Sequence, residues 1–240
     1  MAPAKIKNLS SSRNNGKDSV SMIEEAFRKI KQLIYNRQLV PGQRLVYDDL
    51  AKMLNMSRTP IINALNRLEQ QGMVVSESYR GFYVKPMDLE EVWDAFGLRE
   101  AIESYAVEIA ISKADENDFK KIEEKIIEHK NYKPPYYDRK KLFLDASFHL
   151  QIAETTGNRV LKKQLRWNFE HVYLRAKLND YNPERMKDAQ LEHHALLKQM
   201  RNRDVLGSIA TIRNHIQTAR NYVIACLSKS EGELENYDEL

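Results

Sequence analysis

Residues 57–72 read SRTPIINALNRLEQQG, and this run limits the fold more than any other part of the chain. Ser57 stands where a helix N-cap is expected, and Pro60 falls in the first turn, where a missing N–H does no harm. Ile61, Leu65 and Leu68 follow at the three-and-four spacing of a helix with one buried face, and Gly72 is placed to end it. Just before lies a shorter amphipathic piece, YDDLAKMLN, with Leu50, Met53 and Leu54 on its apolar side. Just after come MVVSE and FYVKP, two β-rich runs joined through Ser78-Tyr79-Arg80-Gly81, which read as a hairpin. Helix, turn, helix, hairpin is the order of a winged helix-turn-helix. The second helix would carry Arg58, Thr59, Asn63, Asn66 and Arg67 on its open side, a set suited to phosphates and base edges. With Arg80 and Gly81 at the wing tip, the expected partner is double-stranded DNA.

The 240 residues suffice for two compact domains. A first helix is expected from Asp18 to about Arg37, with Val20, Ile23, Phe27, Ile30 and Ile34 on one stripe. The winged helix-turn-helix then occupies residues 18–86. From Asp88, a natural N-cap, the pattern is helical almost to the end, with helices expected at 88–113, 115–130, 136–156, 158–178, 183–202 and 204–229. The breaks are Asp115, Pro134-Pro135, Thr156-Gly157-Asn158, Asn182-Pro183 and Asn202-Arg203-Asp204. Residues 88–229 therefore predict an all-α antiparallel bundle, and the whole chain a mainly α protein. Residues 1–17, with four basic and no acidic side chains, read as a disordered polar arm. Residues 230–240 read as an acidic flexible tail.

The 38 basic and 34 acidic residues leave a net charge of only +4, so any DNA contact must be local to one domain. The single Cys226 excludes an internal disulfide. No apolar stretch reaches about 18 residues and no leader pattern opens the chain, so no membrane partner and a cytoplasmic location are expected.

The predicted bundle contains a second constellation. Asp145 and His149 are four apart, hence on one helix face. Asp204 stands in the turn between the last two helices, eleven residues after His193 and eleven before His215. In an antiparallel hairpin those two histidines come level, each about 16 Å from the turn. Helix phase turns both inward: His193 shares a stripe with Met186, Ala189, Leu196, Leu197 and Met200, and His215 with Ile212, Ala219 and Tyr222. His194 falls outward. Buried imidazoles need partners, and one shared ion would satisfy them together. Three nitrogens and a carboxylate oxygen suit one divalent transition metal per chain: Zn, Ni, Fe or Mn. His129, His171 and His194 read as surface or ordinary packing residues. Trp93, Tyr105, Trp167, Tyr173 and Arg175 read as core or interface.

The segment from Pro41 to Pro86, with PGQRL, the SRTP helix start and the Arg80-Gly81-Phe82 wing tip, resembles the GntR family of bacterial transcriptional regulators. The downstream LREAIE at 98–103, FHLQIAETTGN at 148–158, EHHALL at 192–197 and RNHI at 213–216 are similar to its FadR-like branch, and the Asp-x3-His, His, His order to that branch's metal-containing members. The resemblance implies a homodimer that is not an enzyme but a DNA-binding repressor, whose helical domain takes a small metabolite, usually a carboxylate, at or beside the metal. It implies Asp145, His149, His193 and His215 as metal ligands, Arg58 and Thr59 as DNA contacts, and Gly81 as the point of close wing approach. Arg99, Arg175 and Asn158 are the candidates for the effector. Two positions depart from the family pattern: Ile62 stands where an arginine is expected to touch DNA, and Asp48 where many relatives place an arginine.

Two other readings fit parts of the pattern. A metal-free regulator of the same architecture would take an acyl-type or other apolar ligand. A metal-dependent hydrolase would need a general base near the ion, and no HExxH-type pairing supplies one.

Overall fold

The computed structural model describes residues 12–133, 139–176 and 183–235. These form two compact units that divide between Lys85 and Pro86. The first holds α1 (Ser12–Tyr35), β1 (Arg44–Leu45), α2 (Tyr47–Leu54), α3 (Arg58–Gln70), β2 (Val74–Glu77) and β3 (Gly81–Val84). The second holds α4 (Leu89–Lys113), α5 (Glu116–Asn131), α6 (Arg139–Thr155), α7 (Arg159–Arg175), α8 (Pro183–Arg201) and α9 (Val205–Glu235).

In the first unit α3 packs on α1 and α2, and Ile30, Ile34, Ile61, Leu65, Leu68 and Val84 are fully buried. Each such side chain contributes about 1.5–3 kcal/mol by leaving water. The hairpin pairs Val74 with Val84 and Glu77 with Gly81, and β1 adds a third, antiparallel strand on β3 through Arg44–Tyr83 and Leu45–Phe82. Two residues are too few to show a period, so this strand was not legible in the sequence. Gly72, at φ 70°, ends α3 as expected: its N–H donates to the Glu69 carbonyl and that of Met73 to Leu68.

Several expectations are corrected here. Ser57 occupies the N-cap of α3 but its side chain makes no cap hydrogen bond. The third helical position is Pro60, which has no N–H to offer it. Met53 is 59% exposed, and the buried face of α2 is Leu50 and Ala51. Val20 is 66% exposed. At 24 residues α1 is about 36 Å long against about 20 Å for the 13 residues of α3, so its first turns outrun the helix that covers it. The polar arm is helical from Ser12, and the acidic tail is helical to Glu235. Extending an existing helix needs no new nucleus and adds one hydrogen bond per residue. Residues 1–11, residues 236–240, the Pro134-Pro135 break and Asn182 lie outside the described residues.

In the second unit α4 lies against α6, α7 and α9, α5 against α6 and α8, and α8 against α9. Phe96, Phe148, Leu165, Phe169, Met200 and Ile216 are among its buried residues. Asp88 and Asp115 start α4 and α5 with reciprocal capping boxes. Asp204 caps α9 by accepting from Gly207 N at 2.9 Å, and Arg203 donates to the carbonyls of Ile111 and Ala114 at the end of α4. The hairpin of α8 and α9 is thereby fixed at its turn. Among the described residues no helix is long and apolar enough to cross a membrane.

Candidate functional site

The turn at Asp204 brings His193 on α8 level with His215 on α9, their ring centroids 4.7 Å apart. Asp145 and His149 enter from α6, with the His149 ring 5.0 Å from His215 and 5.1 Å from His193. One donor atom from each of these four residues lies within 4.8 Å of all the others. The three imidazoles are buried. Asp145 Oδ1 is 3.5 Å from His193 Nε2 and Oδ2 is 3.7 Å from His149 Nε2, while Tyr173 donates its hydroxyl to Oδ2 at 3.2 Å.

The charge states suit a cation. Burial opposes a charge on Asp145, yet the surrounding imidazoles, His193 foremost, hold its carboxyl well below the usual carboxylate range. Burial pushes His193 well down, reinforced by His215, and burial also lowers His215 against the pull of Glu192. An ionised carboxylate and neutral imidazoles are the protonation states a divalent ion requires. Nε2 of His149 and of His193 lacks a hydrogen-bond partner among the described residues, and such buried atoms call for one. The residues fit a metal ion.

Two of the three histidines also have a carboxylate behind them. Glu192 accepts from His215 Nδ1 at 2.6 Å and from Arg185 Nη1 at 3.0 Å. Glu103 Oε2 lies 2.5 Å from His149 Nδ1. Such partners fix the tautomer and raise ligand basicity. His193 stacks on Phe148 at 4.0 Å. His129, expected at the surface or in ordinary packing, is fully buried with its ring 6.0 Å from His193, and burial lowers its pKa to about 4. Glu103, Glu192, Tyr173 and His129 were not read as parts of the site.

A cavity of about 40 Å³ reaches two of the four residues, Asp145 and His215, and is lined also by Arg99, Tyr173, Arg185 and Leu142 among others. Arg99 is 1% exposed; its Nε donates to Glu103 Oε1 at 2.7 Å, and its Nη2 has no partner among the described residues. The Phe169 ring lies 4.2 Å beneath its guanidinium. Arg99 therefore lines the cavity beside Asp145 and His215. The other two candidates do not. Arg175 is buried, and besides His171 on its own helix it reaches the start of α4, donating to the Pro86 carbonyl at 2.7 Å and to Glu91. Asn158 is exposed and serves as the N-cap of α7, accepting from Val160 and Leu161.

In the first unit Arg58 and Thr59 are exposed at the start of α3, with Asn63 and Asn66 farther along. Arg58 Nη2 donates to Asp48 Oδ2 at 3.0 Å, and Asn63 donates to the Thr59 carbonyl at 3.0 Å. Arg67 pairs with Glu24 and lies 4.3 Å over the Phe27 ring, both on α1. Arg80 is 3.5 Å from Glu77, and Gly81 has φ 96°, a conformation L side chains rarely adopt. Tyr79 beside them is fully exposed.

Comparison with known proteins places both units. Residues 22–84 match the model for bacterial regulatory proteins of the gntR family, and residues 94–218 match the FCD domain. The chain belongs to the GntR family. This GntR regulator is 28% identical over 177 residues to the Nta operon transcriptional regulator of Aminobacter aminovorans, covering 74% of this chain and 82% of that one. It is 26% identical over 179 residues to the Bacillus subtilis HTH-type transcriptional regulator YdhC, covering 74% and 80%. The fold is shared with E. coli McbR/YncC, at TM-score 0.69 and 18% identity over 85% of this chain and 97% of that one. It is a bacterial transcriptional regulator with an N-terminal DNA-binding domain and an FCD effector-binding domain, and not an enzyme.

Proposed function

We propose that this regulator is a repressor whose operator affinity is set by a small carboxylate bound beside one divalent transition-metal ion in the FCD domain. The observation that carries the reading is the convergence of four donor atoms within 4.8 Å beside a cavity lined by a buried arginine, whose Nη2 has no partner among the described residues. Asp145, His149, His193 and His215 would hold the ion, which when bound supplies positive charge that draws an anion. Arg99 Nη2 would donate to the carboxylate, and Tyr173 and Arg185 would border it. A cavity of about 40 Å³ has room for a ligand of only a few heavy atoms, which counts against the acyl-type alternative. Elemental analysis of the chain purified without chelator should find one transition-metal ion per chain. Small carboxylates should then raise its thermal midpoint before metal removal and not after. A metal-free chain that responds to the same carboxylates would sink the reading.

The route to DNA runs along α4, which carries Arg99 and is joined to β3 by residues 85–88 alone. A ligand shifts DNA affinity only by its unequal affinity for two arrangements of the protein, typically about 1–3 kcal/mol.

Two copies would read a palindromic pair of half-sites. α4 offers a pairing face, because the exposed Trp93, Gly97, Ala101 and Tyr105 recur at every fourth residue and form one ridge. On DNA, Arg58 and Thr59 would meet the major groove first, with Asn63 and Asn66 behind them and Arg80, Gly81 and Tyr79 on the wing. The Arg58–Asp48 pair is exposed, so exchanging it for a phosphate or guanine costs no more than about 1 kcal/mol. DNA selected from a random pool should be palindromic and titrate with two chains per site. Arg58→Ala should weaken that binding by about 1–3 kcal/mol at fixed salt. One chain per site, or unchanged affinity, would count against this docking.

A further inference from the structure

Glu103 connects the ligand set to the arginine that faces the cavity, although it belongs to neither. It follows Arg99 by one turn of α4, and both are buried, at 3% and 1% exposure. Its two oxygens serve different partners. Oε1 accepts from Arg99 Nε at 2.7 Å, within the helix, and Oε2 lies 2.5 Å from His149 Nδ1, on α6. Glu103 itself does not line the cavity, whereas Arg99 does. Its carboxylate thus lies buried between a guanidinium that donates to it and an imidazole nitrogen of the neighbouring helix.

We propose that Glu103 is a positioning residue through which a carboxylate in the cavity and a metal ion on His149 strengthen each other's binding. The inference rests on the metal-and-carboxylate reading above. The physical reason is division of one negative charge. The Arg99 guanidinium donates to Glu103 through Nε. An anion at Arg99 Nη2 takes up part of the guanidinium's charge, and Glu103 then presents more of its own to His149 Nδ1–H. An outer carboxylate that pulls harder on this N–H makes Nε2 a better metal ligand. Coupling of this kind is reciprocal, so metal occupancy favours the carboxylate by the same factor, typically about 5- to 150-fold.

The test uses the full chain stripped of metal, Co2+ as the metal probe and acetate as the carboxylate probe. Co2+ affinity is measured by chelator competition, with and without acetate, together with the visible Co2+ spectrum. The wild-type chain should bind Co2+ one to one, more tightly when acetate is present. Glu103→Gln should weaken Co2+ about 10- to 100-fold, alter the spectrum and abolish the acetate effect. Should Glu103→Gln fail to fold, Glu103→Asp serves instead: it keeps the charge but is one methylene too short to hold both partners, so the acetate effect should again be lost. A purely packing role would lower thermal stability without moving the spectrum or the acetate dependence. Wild-type Co2+ affinity and acetate dependence in either folded variant would overturn the role of Glu103 and leave the metal site standing. A wild-type chain that binds no Co2+ would overturn the metal reading and this inference with it.

Discussion

Replacing His193 and His215 together by alanine should remove both the bound metal and the response to carboxylate, and leave a folded protein that still binds DNA. The two histidines face each other only because the turn at Asp204 sits midway between them, and both rings are buried against the Asp145 carboxylate. Their loss leaves two donors from one helix, too few to hold an ion against water. At a free metal concentration of 1,000 times Kd, bound metal contributes about 4 kcal/mol to the stability of the fold that binds it. For a unit the size of residues 86–240 that is a difference of roughly 8–16 °C in midpoint. Wild-type protein should therefore melt about 10 °C lower after chelation, and the double variant should melt alike with and without chelator. The DNA-binding unit has its own core in Ile30, Ile61, Leu65 and Leu68, so it should survive. Stoichiometric metal in the double variant would show that the ligand set is wrong. Loss of metal with the carboxylate response intact would make the ion structural and move the switch elsewhere.

What the sequence made legible here follows from helix geometry. The rise and phase of a helix are fixed, so equal distances from one turn bring two side chains level, and periodicity says which of them point inward. His193 and His215 satisfied both conditions, and Asp145 and His149 share one face of α6. The winged helix was legible for a similar reason: α3 carries its start, its buried stripe and its stop within sixteen residues, from Ser57 to Gly72. Where the reading failed, a contact between elements or a competing local role decided the matter. Glu103 meets His149 from a helix forty-six residues away in sequence, and nothing in the spacing of α4 announces that partner. Arg67 belongs to the expected groove set, and its pairing with Glu24 and packing over Phe27 on α1 are likewise contacts that no spacing announces.

Other misses had a signal that local rules supply. Phe119, Ile122 and Ile126 set an inner stripe on α5, and His129 continues it three residues on, so its burial follows from the period. Asn158 stands after Gly157 at a helix start, where an asparagine side chain is ordinarily taken up by N-capping. An exposed cap is poorly placed to bind an effector as well.

Arg175→Ala should destabilise the helical unit by about 3 kcal/mol without removing metal, because this arginine fastens the beginning of α4 rather than binding a ligand. Its side chain is fully buried and its Nη2 alone serves the Pro86 carbonyl and the Glu91 carboxylate. Glu91 in turn closes the capping box with Asp88, whose carboxylate accepts from Glu91 N at 2.7 Å. Truncation would leave a carbonyl and a carboxylate without their donor and a hole where the guanidinium lay. The partial exposure of Glu91 lets water take over some of that role, which keeps the cost at the lower end of the range for broken buried pairs. At about 2–4 °C per kcal/mol the midpoint should fall by roughly 6–12 °C. Arg175→Lys should recover part of the loss, since an ammonium keeps the charge but cannot present the planar fork. Metal content should stay at one ion per chain and the carboxylate should still raise the midpoint by its usual increment. A variant that melts like the wild type yet ignores the carboxylate would return Arg175 to the effector site and take this structural role away.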